Sequence, residues 1–442
     1  MFVCKRWHDI VLSAPSLWTN IHIIFPKEPP LPGDPTPERM ARAALRRAGP
    51  TTKLSLHLEI HETSRNYDSA IAVINMISSR GNQFIRELTL DGSWFPPTFD
   101  IPQESISSLF SHFVGEWTSL LRLHLGSFPP RASWDSTALL SFLDSIMSTA
   151  STLQYINIST DILPLIEKKL SRKRSLIYLD ITRSLLSYET LRFSVWPHIK
   201  SLNIYATSRY HHYFENSLDL RATGPLSSAG DISAFPLLSH AVFINHTLDF
   251  RSSPRLESLT NLVLSCVHIK AIAPHSIEMP LLRTLSVDIT RGLDCIIAPR
   301  LETLSIGPLP EGVDVTNYLS NLFTAHAQQL DPVHLDLRPI YQEKYVHIID
   351  MTVPLASVYL LRRVERISIA RLAVVRDVER WKYRMLQSVN TGDENPTKAM
   401  VMLPKWKEMD LGGEDVPDWL WSIIIARQVA GFPVQLNLAN EG

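Results

Sequence analysis

The chain has 442 residues, 45% of them apolar and 20% charged, with a net charge of −1. That composition fits a globular chain with a sizeable core and excludes a disordered one; the balanced charge excludes a whole-chain field that would draw in nucleic acid or an anionic membrane. Three scattered cysteines, Cys4, Cys266 and Cys295, form no C-x-x-C pair, which points to a reducing compartment, cytoplasmic or nuclear, and away from a zinc ribbon.

In chain order, Phe2, Val3, Trp7, Ile10 and Val11 are spaced for one face of a short helix, and Ser13-Ala14-Pro15-Ser16 breaks it. Lys5, Arg6, His8 and Asp9 interrupt any secretory apolar run. Leu17 and Trp18 follow the break, and Ile21 and Ile23 alternate as in a strand. Residues 25–37 hold six prolines with Gly33 and Asp34 and read as a linker. Residues 38–48 are good helix formers stopped by Gly49-Pro50. Leu54, Leu56 and Leu58 predict a strand, and 67–80 an amphipathic helix. The organisation expected is a 1–24 segment, a 25–50 linker and helix, and one array over 51–442.

From Ile85 onward one pattern recurs, apolar-x-x-apolar-x-apolar. Its copies are Ile85/Leu88/Leu90, Leu120/Leu123/Leu125, Leu153/Ile156/Ile158, Leu176/Leu179/Ile181, Ile199/Leu202/Ile204, Leu259/Leu262/Leu264, Leu282/Leu285/Val287, Leu301/Leu304/Ile306, Val364/Ile367/Ile369 and Trp406/Met409/Leu411. Weaker copies are Leu238/Ala241/Phe243, Pro332/Leu335/Leu337 and Pro433/Leu436/Leu438. The last two members alternate, as on one face of a short strand. One such strand cannot bury its apolar face alone, whereas a stack of them can. Central members lie 35, 33, 23 and 23 residues apart from Leu88 to Leu202, and 23 and 19 apart from Leu262 to Leu304. The longer steps contain helix-like inserts at 104–114, 137–149 and 315–330, while 338–363 is poorly patterned and 390–400 reads as an exposed loop. The fold class expected is therefore α/β: an irregular leucine-rich-repeat-like solenoid with a curved, mostly parallel sheet. The asparagine ladder usual in such repeats is missing.

Residues between the apolar positions must point to the opposite face. That outward row reads Glu87/Thr89, Arg122/His124, Tyr155/Asn157, Tyr178/Asp180, Ser201/Asn203 and, further on, Asn261/Val263, Thr284/Ser286, Thr303/Ser305, Arg366/Ser368 and Glu408/Asp410. Arg122, His124, Tyr155, Tyr178 and Asp180 combine residue types favoured at interface centres, so this is the predicted target-binding patch; an ordinary solvated sheet face has the same alternation. Lys168, Lys169, Arg172, Lys173 and Arg174 read as a solvated helix end. His57, Glu59 and His61 share one strand face rather than the helical His-Glu-x-x-His spacing of zinc proteases, and no metal or other cofactor is expected. No P-loop, G-x-G-x-x-G or G-x-S-x-G occurs, and the chain is expected not to be an enzyme.

Residues 3–21, Val-Cys-Lys-Arg-Trp-His-Asp-Ile-Val-Leu-Ser-Ala-Pro-Ser-Leu-Trp-Thr-Asn-Ile, resemble the C-terminal half of an F-box. Arg46-Arg47-Ala48-Gly49, the Leu54–Leu58 alternation, the leucine array and Ile424-Ile425-Ala426-Arg427-Gln428-Val429-Ala430-Gly431-Phe432-Pro433 are similar to the F-box proteins of mushroom-forming fungi. The resemblance implies a substrate receptor of a Skp–cullin–F-box ubiquitin ligase, with no nucleic-acid or membrane partner. Val3, Cys4, Trp7, Ile10, Pro15, Leu17 and Trp18 would dock on the Skp-family adaptor, and the array would hold a protein target; Trp7 and Trp18 equally suit packing within the box. The Leu-Pro opening and first helix of an F-box have no counterpart before Val3, so a form extended at the N-terminus is expected to bind the adaptor better than this chain. Two alternatives stand beside this reading: a repeat scaffold that has lost ligase docking, and a hydrolase-like enzyme on an α/β scaffold.

Overall fold

A computed structural model describes residues 14–25, 35–61, 64–93, 110–113, 115–126, 136–159, 162–183, 196–206, 235–244, 247–250, 256–265, 267–271, 276–288, 290, 292–307, 322, 330–337, 363–368, 405–411, 418–429 and 431–437. The fold is α/β, the described strands pair in parallel, and the chain divides into two compact units, 1–207 and 208–442. Among the described residues no helix is long and apolar enough to cross a membrane.

In the first unit a turn of 3-10 helix, Pro15–Trp18, leads into β1 (Asn20–Phe25). Then come α1 (Pro37–Ala48), β2 (Leu54–His61), α2 (Ser64–Ser78), β3 (Ile85–Ser93), β4 (Arg122–Leu125), α3 (Ser136–Thr149), β5 (Tyr155–Ser159), α4 (Leu163–Leu170), β6 (Tyr178–Arg183) and β7 (Ser201–Ala206). The strands lie side by side in chain order. Each helix crosses over between two parallel neighbours, as parallel pairing requires. The predicted helices at 38–48, 67–80 and 137–149 correspond to α1, α2 and α3. Of the 104–114 insert, the described part (110–113) supplies buried Phe110 and Phe113, and the 315–330 insert lies largely outside the described residues.

The triplets set the register. Leu56 pairs with Leu88, Leu88 with Leu123, Leu123 with Ile156, Ile156 with Leu179 and Leu179 with Leu202, so every central member lands in one buried row. The helices add stripes at helical spacing, such as Ala70, Val73, Ile74 and Ile77 on α2 and Leu139, Phe142, Leu143 and Ile146 on α3. Phe110, Phe113, Trp117 and Phe142 pack as an aromatic cluster, with ring centres of Trp117 and Phe142 5.7 Å apart, edge to face. Arg80, just past α2, donates to the carbonyls of Leu45 (3.2 Å) and Pro50 (3.2 Å) and also to Gly49, which places a cation on the negative end of α1.

A further repeat element precedes seven of the triplets. The amide of the first triplet residue donates to the carbonyl three residues back, in Leu120→Trp117, Leu153→Ala150, Leu176→Lys173, Ile199→Trp196, Leu238→Phe235, Leu282→Met279 and Leu301→Ala298. These are β-turns that swing the chain into the strand. The residue at the turn's start is buried in Trp117, Ala150, Trp196, Phe235, Met279 and Ala298.

In the second unit β8 (His240–Ile244), β9 (Thr247–Phe250), β10 (Asn261–Ser265), β11 (His268–Ala271), β12 (Ile277–Glu278), β13 (Thr284–Val287), β14 (Ile296–Ile297), β15 (Thr303–Ile306), β16 (His334–Asp336), β17 (Arg366–Ser368) and β18 (Glu408–Asp410) precede α5 (Asp418–Val429) and β19 (Gln435–Asn437). β8, β10, β13, β15, β16, β17, β18 and β19 form the main sheet in that order. The steps from β8 to β15 carry no described α-helix between their strands. Their connections form small parallel pairs, β9 with β11 and β12 with β14. Gly292, at φ 81°, sits so close to the Ile269 carbonyl that a Cβ has no space. The weak last triplet departs from expectation: Pro433 is exposed and Leu436 half-buried, while Val434 is buried. Arg427 is buried between Trp406 and Phe432, 5.2 and 5.8 Å from their ring centres, and desolvation lowers its pKa to about 10.

Candidate functional site

Burying the leucines forces the intervening residues of β1–β7 onto the other face. One row there reads Asn20, Ser55, Glu87, Arg122, Tyr155, Tyr178 and Ser201, each opposite the next. The adjacent row reads His22, His57, Thr89, His124, Asn157, Asp180 and Asn203. All five predicted patch residues therefore share one face on three neighbouring strands.

They do not play the same part. Tyr178 stands 48% exposed, and Arg122 is exposed with its guanidinium carbon 5.0 Å from the centre of the Tyr155 ring. Asp180, expected to be a contact residue, is only 8% exposed. It accepts from the Tyr155 hydroxyl at 2.6 Å and from Asn203 Nδ2 at 2.7 Å. A buried carboxylate is tolerated because these donors replace water. Asp180 thereby holds the Tyr155 hydroxyl in place. Thr182 Oγ1 donates to Asn157 Oδ1 at 3.2 Å, a second tie between β5 and β6. Sequence reasoning left Asn203 and Thr182 out of the patch, although equal offsets within each triplet place both beside it.

His124 is half-buried, and desolvation lowers its pKa from 6.5; nearby His57 adds to this, while the carboxylates of Asp91 and Asp180 oppose it. His57 is shifted the same way, first by desolvation and then by His22, against Asp91 and Glu59. The folded chain thus binds these protons less readily than the unfolded one. The resulting stability is present above the unfolded value near 6.5 and is lost as pH falls through the folded values. Melting temperature should therefore drop between about pH 7 and pH 5.5, and His124→Asn should flatten that slope; equal slopes in both proteins would remove His124 from this role.

At the first edge of the sheet the rings of His22 and His57 stack, with centroids 4.2 Å apart and planes 8° from parallel. His22 Nε2 lies 3.6 Å from Glu59 Oε2. The side chain of His61 lies outside the described residues. Among the described residues, His22, His57 and Glu59 have ligand atoms within 4.8 Å of one another.

Of the predicted adaptor contacts, Val3, Cys4, Trp7 and Ile10 lie outside the described residues. Pro15 is exposed, and Leu17 is 58% exposed. Trp18 is half-buried under Arg47, whose guanidinium carbon is 4.4 Å from its ring centre. In the second unit the outward row pairs Arg366 with Glu408 (3.0 Å), and Lys407 pairs with Glu365 (3.0 Å) just ahead of β18 and β17, on exposed side chains where such pairs contribute little. No family model matches the chain, and no curated protein matches it.

Proposed function

We propose that the chain is a substrate receptor of a Skp–cullin–F-box type ubiquitin ligase, a leucine-rich-repeat-like solenoid behind a short F-box segment. The observation that carries the reading is the outward face of β4–β7. Exposed Tyr178 and Arg122 flank a Tyr155 held from beneath by buried Asp180. An aromatic and arginine cluster fixed before binding loses little side-chain entropy on capturing a partner. Binding, not chemistry, is what this face supplies.

The adaptor end rests on the resemblance of residues 3–21 together with the Pro15–Trp18 turn. Trp18 anchors that turn to α1 through Arg47, and Leu17 presents its apolar side chain to solvent. Quantitative co-purification with a Skp-family adaptor tests it. Leu17→Asp should weaken association by about 30-fold, the effect of an interface anchor of about 2 kcal/mol, without changing the melting curve, because Leu17 supports no core. Equal association of Leu17→Asp and the unaltered chain would remove the turn from the interface. Failure of both to associate would favour the scaffold without ligase docking.

A further inference from the structure

Two imidazoles and a carboxylate converge where β1 meets β2, away from the Arg122–Tyr178 patch. His57 and Glu59 are alternate residues of β2 and so share a face; His22 on β1 is the direct partner of His57 in the parallel register. We propose that His22, His57 and Glu59 form a binding site for a divalent transition-metal ion, with zinc its favoured occupant. Imidazole nitrogen with carboxylate oxygen suits zinc and the later first-row metals, and magnesium and calcium, which prefer all-oxygen shells, poorly.

The geometry is near that of a loaded site. Two ligand atoms about 2.1 Å from a tetrahedral zinc ion are about 3.4 Å apart. His22 Nε2 and Glu59 Oε2 already stand at 3.6 Å, and all three ligand atoms lie within 4.8 Å of one another. Stacked rings confine their in-plane lone pairs to near-parallel planes, so one ring must turn for both to aim at a common point. The Cβ–Cγ torsion of histidine is broad and allows this.

A second observation points the same way. His57 Nε2 is buried and has no hydrogen-bond partner among the described residues. A polar atom removed from water without a partner is costly, and a metal ion bound through Nε2 would satisfy it. The other two ligands give the ion access, because the His22 and Glu59 side chains are 50% and 27% exposed. Three protein ligands leave a fourth tetrahedral position for water or a donor from a bound partner. The ion would also pin β1, the first strand of the sheet, to β2. Whether or not the face captures a target, this site stands on its own residues.

The test is zinc titration of the untagged full chain in competition with a chromogenic chelator, paired with thermal melts. One zinc ion per chain should bind and raise the melting temperature, since a ligand bound only by the folded state stabilises it. His22→Asn and Glu59→Gln should each weaken binding by more than about tenfold, the low end of what loss of even an outer-shell partner costs. Their metal-free melting curves should match that of the unaltered chain, because both side chains are partly exposed. His240→Asn, a control in the second unit, should bind as the unaltered chain does. Absence of zinc binding, or equal binding in the His22→Asn and Glu59→Gln variants, would overturn the proposal.

Discussion

Leu202→Ala and Leu285→Ala should each lower folding stability by about 2–5 kcal/mol. Both leucines are 0% exposed. Leu202 stacks on Leu179, and Leu285 lies between Leu262 and Leu304 on flanking strands. The strands paired with β7 and β13 are fixed by backbone hydrogen bonds, so the cavity left by truncation cannot collapse, which favours the upper half of that range. Leu436→Ala, at a half-buried position of β19, should cost about 1 kcal/mol, in line with partial burial. Ser286→Ala, on the outward side of β13, should stay within about 0.5 kcal/mol. Denaturant midpoints at constant slope would check all four. A loss below about 0.5 kcal/mol for either buried leucine would show that the triplet face is not the core.

Tyr178→Ala should weaken target capture by about 2 kcal/mol or more, at least about 30-fold, with an unchanged melting curve. The phenol is half exposed and lies on the face opposite the leucines, so its loss leaves the core intact. Tyr155 is a poorer probe, because truncating it also removes a donor from buried Asp180. Tyr155→Phe separates the two roles. It keeps the ring beneath Arg122 and removes the hydroxyl, so it should lower stability by about 1–3 kcal/mol, the cost of a buried group losing a partner. A Tyr178→Ala variant that captures targets as before would move the binding surface off this row.

Much of this face was legible in the sequence for a simple reason. A period of two is fixed by the strand, so once Leu179 and Leu202 are assigned inward, Tyr178, Asp180, Ser201 and Asn203 must face the other way. Equal offsets within triplets then fix which residues become neighbours, and the observed pairing of Tyr155 with Tyr178 follows. What could not be read was depth. Asp180 and Tyr178 have the same outward assignment, yet one is a buried acceptor and the other stands in solvent, because burial there depends on which side chains lie across the next strand. The apolar position three residues ahead of six of the triplets was hidden by its variety: tryptophan, alanine, phenylalanine and methionine fill the same turn. The third metal-compatible ligand was hidden by distance. His22 and His57 are separated by a proline-rich linker and a helix, and only the pairing of β1 with β2 brings them together. His57, Glu59 and His61 lie along one strand, whereas the cluster runs across two.

The most direct measurement of the central claim is the half-life of the proteins captured by this chain. It would be followed in cells expressing the unaltered chain, Tyr178→Ala or Leu17→Asp at equal abundance. The receptor reading predicts that proteins bound through Tyr178 are degraded faster with the unaltered chain than with either variant. It also predicts that Leu17→Asp still captures them but no longer shortens their lives. Half-lives that are the same in all three cases would contradict it.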